Sequence, residues 1–274
     1  MKAHRRPGDG WVDEQVQVGA TTVYCRRSTD HDGVPLVHLH GFAISGAYLM
    51  PTARALTDRG VNVVPDLPGY GRSERRDHVL DIPSLAESTI AILDALDIGK
   101  AVLVGNSMGC AISLEVAHAA PERVHRLVLV SPAGGVHNQP MGRAIGQLAK
   151  DVFRESTRML PVALPDYVRF GPLNGLRLFG ELTRFPSLER LLTTPVPTLA
   201  VLGTRDPLLP PPDRIRDVAR RAPEHLTVAL IDRAAHAVNF SHPAELAAVI
   251  GLWLDDAVGD GSLLPHGVRV VAAT

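Results

Sequence analysis

The chain has only two cysteines, Cys25 and Cys110, in 274 residues. That is too few for a disulfide framework, and a reducing, cytoplasmic setting is the expectation. No apolar run reaches the roughly 18–20 residues needed to cross a bilayer, so no membrane partner is expected. Basic tracts are missing too: a net charge of -1 and a pI of about 6.9 give no electrostatic footprint for nucleic acid. Residues 1–10 carry basic side chains with no apolar stretch behind them, which predicts no secretory leader. Lysine is scarce, at positions 2, 100 and 150 only. Arginine supplies the other cations, which reads as genome composition rather than function.

What the chain does have is apolar mass. With 45% hydrophobic residues, 21% charged residues and a mean hydropathy of +0.07, it can fill a core and cannot stay solvated as a disordered chain. Its length exceeds an ordinary domain and suits one large α/β domain carrying an insertion.

Short apolar runs alternate with helical patterns, the signature of a mainly parallel sheet with crossover helices. The Val- and Thr-rich stretch 14–27 around Gly19 predicts a hairpin, and strands are expected at 35–40, 62–66, 101–105, 126–131, 197–203 and 226–231. Helices are expected at 45–58, 83–97, 107–119 and 243–257, with Pro83 and Gly99 punctuating the second. The tail after Gly259 offers no pattern. The alternation breaks at 135–195, which predicts a helical insertion within a core made of 1–134 and 196–274. One amphipathic helix is expected there, with Ile145, Leu148, Ala149, Val152, Met159 and Leu160 on one side. This interval carries eight basic and five acidic residues, net +3, against -4 for the remainder, and five of the twelve aromatics.

The sharpest motif is Gly105-Asn106-Ser107-Met108-Gly109, a G-x-S-x-G between an apolar strand and a helical pattern. A tight strand-to-helix turn lifts such a serine into solvent reach at a strained backbone geometry, and the flanking glycines avoid collisions there. A serine hydroxyl is a poor nucleophile without a base that is itself held by an acid. Asp206 follows the 197–203 strand and His236 the 226–231 strand, in the order Ser, Asp, His and at the strand ends where open α/β sheets build sites. Asp232 is the rival acid. Oxyanion donors are expected from the N–H groups of Met108 and Phe42, with His40 and Gly41 shaping the latter's turn. His38 and His40 have no further ligand at metal spacing, so no metal is expected. Gly69-Tyr70-Gly71-Arg72-Ser73 lacks the P-loop pattern and reads as a turn.

With His40-Gly41-Phe42, Asp66-Leu67-Pro68-Gly69-Tyr70-Gly71-Arg72-Ser73, the Ser107 elbow, Arg205-Asp206-Pro207 and His236 in order, the chain resembles the serine branch of the α/β-hydrolase superfamily over about residues 20–257. The resemblance implies a mostly parallel eight-stranded sheet, a helical cap, a Ser107–Asp206–His236 triad and no cofactor. The elbow with Asn106 is similar to that of the meta-cleavage-product carbon-carbon hydrolases, although Ala237 and Cys110 stand where those enzymes usually carry Trp and Gly. Ser107 excludes the relatives that use an aspartate nucleophile. The expected activity is hydrolysis of a small ester or lactone. The alternatives are carbon-carbon hydrolysis of a diketo or dienoate ring-fission product, and a non-catalytic ligand-binding homologue. The expected partner is a small molecule, carboxylate-bearing if a cap arginine faces the site, and self-assembly into a homo-oligomer is compatible with the sequence.

Overall fold

The computed structural model describes residues 4–5, 10–29, 31–133, 138–210, 213, 215, 220 and 224–271. Ten strands form one sheet: β1 (His4–Arg5), β2 (Trp11–Val18), β3 (Thr21–Ser28), β4 (Leu36–Leu39), β5 (Asn62–Pro65), β6 (Ala101–Asn106), β7 (Val124–Val130), β8 (Thr198–Gly203), β9 (Leu226–Ile231) and β10 (Val268–Val271). Their order is β1-β2-β3-β5-β4-β6-β7-β8-β9-β10. The run from β5 to β9 is parallel, and the pairs β1/β2, β2/β3, β3/β5 and β9/β10 are antiparallel. Eight strands are expected from the sequence. The two further ones lie at the sheet's edges: β1 is two residues long, and β10 comes from the tail, where Val268 and Val271 pair with Ile231 and Val228. Neither carries enough alternation to stand out alone.

The central strands are apolar on both faces because helices cover both. On β6, Leu103 packs with α2 (Ile82–Ala95) and α3 (Met108–Ala119), while Val102 and Val104 pack on the other side against Leu246, Val249, Ile250 and Trp253 of the last helix, Pro243–Leu254. Asp81 caps α2 by accepting from the Ser84 N–H at 2.9 Å. The helix ends at Ala95, and the left-handed residue that follows is Asp97, φ 56°, instead of the expected Gly99. An aspartate tolerates that conformation better than most side chains, so the stop is set two residues early.

The expected helix at 45–58 is two pieces, a 3-10 turn Gly46–Leu49 and α1 (Met50–Ala55). Between β7 and β8 lie α4 (Met141–Val152), a 3-10 turn Thr157–Met159, α5 (Leu160–Phe170), α6 (Pro172–Arg184) and α7 (Ser187–Thr193). The single amphipathic helix expected across 145–160 is therefore broken after Val152, and Met159 and Leu160 belong to a different axis. The expected boundary at 134/135 lies outside the described residues. Leu178, Leu182 and Phe185 join the α2–α3 core, which seats this helical segment on the sheet domain.

Candidate active site

The chain leaves β4 for β5 on one side of the sheet and returns to β6 on the other. The crevice at the carboxyl ends of β4 and β6 is thus the topological switch point, where α/β sheets bind ligands. Both sequence motifs of greatest interest open there. Ser107 follows β6 at φ 55°, ψ -115°, a region that costs a non-glycine residue about 1–3 kcal/mol and persists only when its surroundings hold it. Its N–H donates to Val130 O at 3.1 Å, and its carbonyl accepts from the Cys110 N–H at 3.0 Å. A Cβ on Gly105 would overlap the Gly109 carbonyl, and one on Gly109 would overlap the Leu39 carbonyl. The flanking glycines let helix, elbow and neighbouring strand meet at backbone distance. Cys110 adds a buried thiol beside the carbonyls of Gly105 and Val130, at 3.2 and 3.3 Å.

Asn106 ties three elements together. Its amide donates to Val130 O at 3.1 Å and His236 O at 3.2 Å, and its Oδ1 accepts from the Tyr48 hydroxyl at 2.6 Å. Tyr48 in turn accepts from the Gly41 N–H at 2.8 Å. A Cβ on Gly41 would lie 3.0 Å from the Tyr48 oxygen and 3.4 Å from the Ser107 Cβ, so the Gly41–Phe42 turn abuts the serine. Sequence reasoning missed Tyr48, which sits in a stretch read only as a helix. His40 stiffens the same turn: its Nε2 accepts from the Leu67 N–H at 3.0 Å, so Nδ1 carries the proton and donates to Gly41 O at 2.9 Å. Burial lowers the His40 pKa and keeps the ring neutral for both bonds. His38 is likewise engaged, with Asn62 at 2.7 Å.

Across the crevice, His236 Nδ1 meets Asp206 Oδ2 at 2.7 Å, and Asp206 Oδ1 accepts from the Leu208 N–H at 2.8 Å. The rival Asp232 instead pairs with Arg269 at 3.0 Å near the surface. Burial disfavours the imidazolium, but Asp206, followed by Asp151 and Glu155, outweighs it and raises the His236 pKa to about 9. His236 Nε2 is buried and without a partner among the described residues. Ser107, His236, Phe42 and Met108 all line one cavity. Such a set can take a proton from a hydroxyl and hold the resulting imidazolium. Met108 opens α3, whose N-terminal dipole favours developing negative charge near its N–H.

The opposite wall comes from the helical segment: Leu148, Asp151, Val152, Glu155, Met159, Leu160, Ala163, Tyr167, Phe179 and Leu182. Phe42 contacts Phe170 edge-on at 5.7 Å and Phe179 at 5.5 Å, and Tyr70 stacks on Phe170 at 5.1 Å. The segment's aromatics thus both pack and line, while Phe153 is 90% exposed. No arginine belongs to the described cavity wall, so the condition for a carboxylate-bearing partner, an arginine of the segment facing the site, is not met among the described residues. Arg154 donates to Arg205 O, Arg169 to Ser73 O, and Arg190 pairs with Glu115. The charged wall residues besides His236 are acids that sequence reasoning only counted. A signal existed: Asp151 and Glu155 fall on the Leu148/Val152 face at helical spacing, interrupting its apolar stripe.

The sheet, its switch point and the pocket above it define an open α/β architecture with a ligand-sized site. The Alpha/beta hydrolase family model matches residues 36–249, and the chain belongs to that family. It is 30% identical, over 84% of its own length and 66% of the relative's, to the dihydrolipoyllysine-residue acetyltransferase component of the acetoin cleaving system of Pseudomonas putida. It is 25% identical, over 81% of its length and 94% of the relative's, to a pimeloyl-[acyl-carrier protein] methyl ester esterase of Shewanella woodyi. Two further curated relatives are spanned over 59% and 43% of their lengths. A solved meta-cleavage product hydrolase of Pseudomonas fluorescens superposes with a TM-score of 0.68 at 21% identity, covering 89% of this chain and 98% of that one. Among the described residues no helix is long and apolar enough to cross a membrane.

Proposed function

We propose that the protein is a cofactor-independent serine hydrolase of small carboxylic esters or lactones, with residues 135–195 serving as a cap over the site. Ser107 attacks the carbonyl carbon as His236 takes its proton, and the N–H groups of Phe42 and Met108 hold the oxyanion. Collapse expels the alcohol, protonated by His236, and leaves an acyl group on Ser107. A water deprotonated by His236 then releases the acid. Asp206 fixes the imidazole tautomer throughout. The observation that carries this reading is the 2.7 Å Asp206–His236 pair beside a cavity that also exposes a serine in a strained turn. The esterase relative from Shewanella woodyi supports it. The two buried free thiols fit a reducing, cytoplasmic compartment.

Carbon-carbon hydrolysis is the second reading, motivated by Asn106 and by the likeness of fold to the meta-cleavage product hydrolase. The Asn106 side chain is, however, engaged in joining Tyr48, Val130 and His236, and the described cavity wall carries two acids and no arginine to pair with a ring-fission carboxylate. Ester cleavage is favoured. Ser107→Ala and His236→Ala are each expected to cut turnover of a 4-nitrophenyl ester by on the order of 10³ or more with the circular dichroism of the folded protein intact. Activity within tenfold of wild type in either would reject the assignment. A fluorophosphonate probe should label Ser107, and a folded protein that resists it would point to a non-catalytic binder. Turnover of a ring-fission dienoate above that of simple esters would restore the second reading.

A further inference from the structure

We propose that Asp151 and Glu155 make the cavity selective for substrates carrying a cationic nitrogen and turn away carboxylate-bearing ones. The proposal rests on the serine-hydrolase reading above and specifies its substrate class.

Both side chains belong to the helical segment, Asp151 in the last turn of α4 and Glu155 just beyond it, and both line the same cavity as Ser107 and His236. Glu155 spends one oxygen on the Ala237 N–H, at 2.6 Å, next to His236. Its second oxygen is buried and finds no partner among the described residues. Asp151 is only 5% exposed, and its Oδ1 is likewise unpartnered. The fold would be expected to neutralise such a pair with arginine, since a buried carboxylate without a cation costs several kcal/mol even after relaxation. Here the neighbouring guanidinium of Arg154 is turned to the Arg205 carbonyl instead. His236 already holds Asp206, and its free Nε2 is needed for the serine.

The two unpartnered oxygens belong to residues that share the wall with apolar neighbours such as Leu148, Val152 and Leu208. A ligand with an ammonium N–H near the scissile ester satisfies the carboxyls through charge-assisted hydrogen bonds while its hydrocarbon meets the apolar part. A ligand carboxylate would add negative charge to the low-dielectric space these acids already occupy. Burial also raises the pKa of both acids, that of Asp151 to about 7, against the opposing pull of the His236 ring.

Three isosteric butyrate esters test this at neutral pH: those of dimethylaminoethanol (cationic), isoamyl alcohol (neutral) and hydroxypropionate (anionic). Binding is read by calorimetry in the Ser107→Ala protein, so that turnover does not intervene. The cationic ester should bind at least about tenfold more tightly than the neutral one, and the anionic ester weakest of the three. Adding Asp151→Asn or Glu155→Gln should shrink the cation preference to about threefold or less, with thermal melts showing each variant folded. Equal binding of the cationic and anionic esters, or a preference that survives both substitutions, overturns the proposal. Wild-type kinetics separate the two readings. Hydrolysis of the isoamyl ester without charge preference in binding removes only the selectivity, whereas no hydrolysis of any ester together with an unlabelled Ser107 removes the hydrolase reading and leaves the binding order to judge this one.

Discussion

At the carboxyl ends of β4 and β6 the backbone itself does the positioning. Glycines at 105 and 109 let carbonyls approach where a Cβ would overlap them, Ser107 is held at φ 55°, and Asn106 and Tyr48 fasten the turns to one another. The helices across the cavity work differently. Gly142 and Gly146 of α4 have nothing within 4 Å of a would-be Cβ, and the segment touches the site through side chains such as Asp151, Glu155, Tyr167 and Phe179. One region has almost no room for change, and the other has room for new side chains except where, as at Glu155, it touches the loop carrying His236. On the proposed reading, reaction type and substrate choice fall to physically separate parts of the fold.

The largest effect expected from breaking this contrast is at the elbow. Gly109→Ala forces a methyl into the Leu39 carbonyl, in a central part of the sheet that has no freedom to give way. It should destabilise the protein by more than about 3 kcal/mol, read as a lowered denaturation midpoint, and abolish fluorophosphonate labelling of Ser107. A midpoint near wild type would mean that the elbow is plastic and the contrast false.

A smaller effect lies where the two regions touch. Glu155 holds the Ala237 N–H from the helical side, so Glu155→Ala frees the loop carrying His236 and should lower kcat for a neutral ester by about tenfold. Glu155→Gln keeps an acceptor and should lose less. Its charge is gone, however, and the pH profile shows the difference. As the proposed base, His236 would act only when neutral, so its raised pKa should make activity grow as pH rises towards about 9. Removing one of the carboxylates that raise it should move this acid limb to lower pH. An unmoved limb with a lowered kcat would reduce Glu155 to a structural prop.

The same contrast explains what the sequence made legible. Gly105, Ser107 and Gly109 are local in sequence because the elbow is local in space, and Asp206 and His236 follow apolar strands whose ends the topology aligns. Asp232 and Asp206 look alike in sequence, and only Arg269, brought in by the unexpected strand β10, draws Asp232 away. Tyr48 reaches the site through a contact 58 residues away, to Asn106, which no periodicity encodes; Glu155 interrupts a legible stripe, but its bond to Ala237, 82 residues away, does not show in that stripe. The break after Val152 is not legible in the sequence because Val152 and Met159 still fit one helical stripe when drawn on a continuous axis.

The smallest predicted effect has the opposite sign. Gly146 lies inside α4, exposed, with open space around its Cβ position. Alanine there gains helix propensity and narrows the unfolded ensemble without meeting anything, so Gly146→Ala should stabilise the protein by about 0.5–1 kcal/mol and leave ester turnover unchanged. One added methyl would then be ruinous at position 109 and mildly helpful at position 146, though both residues are glycines in helices flanking one cavity. If Gly146→Ala instead costs stability or activity, α4 is held against a surface or moves during turnover in a way its open surroundings do not suggest, and the helical segment is more constrained than its side-chain contacts imply.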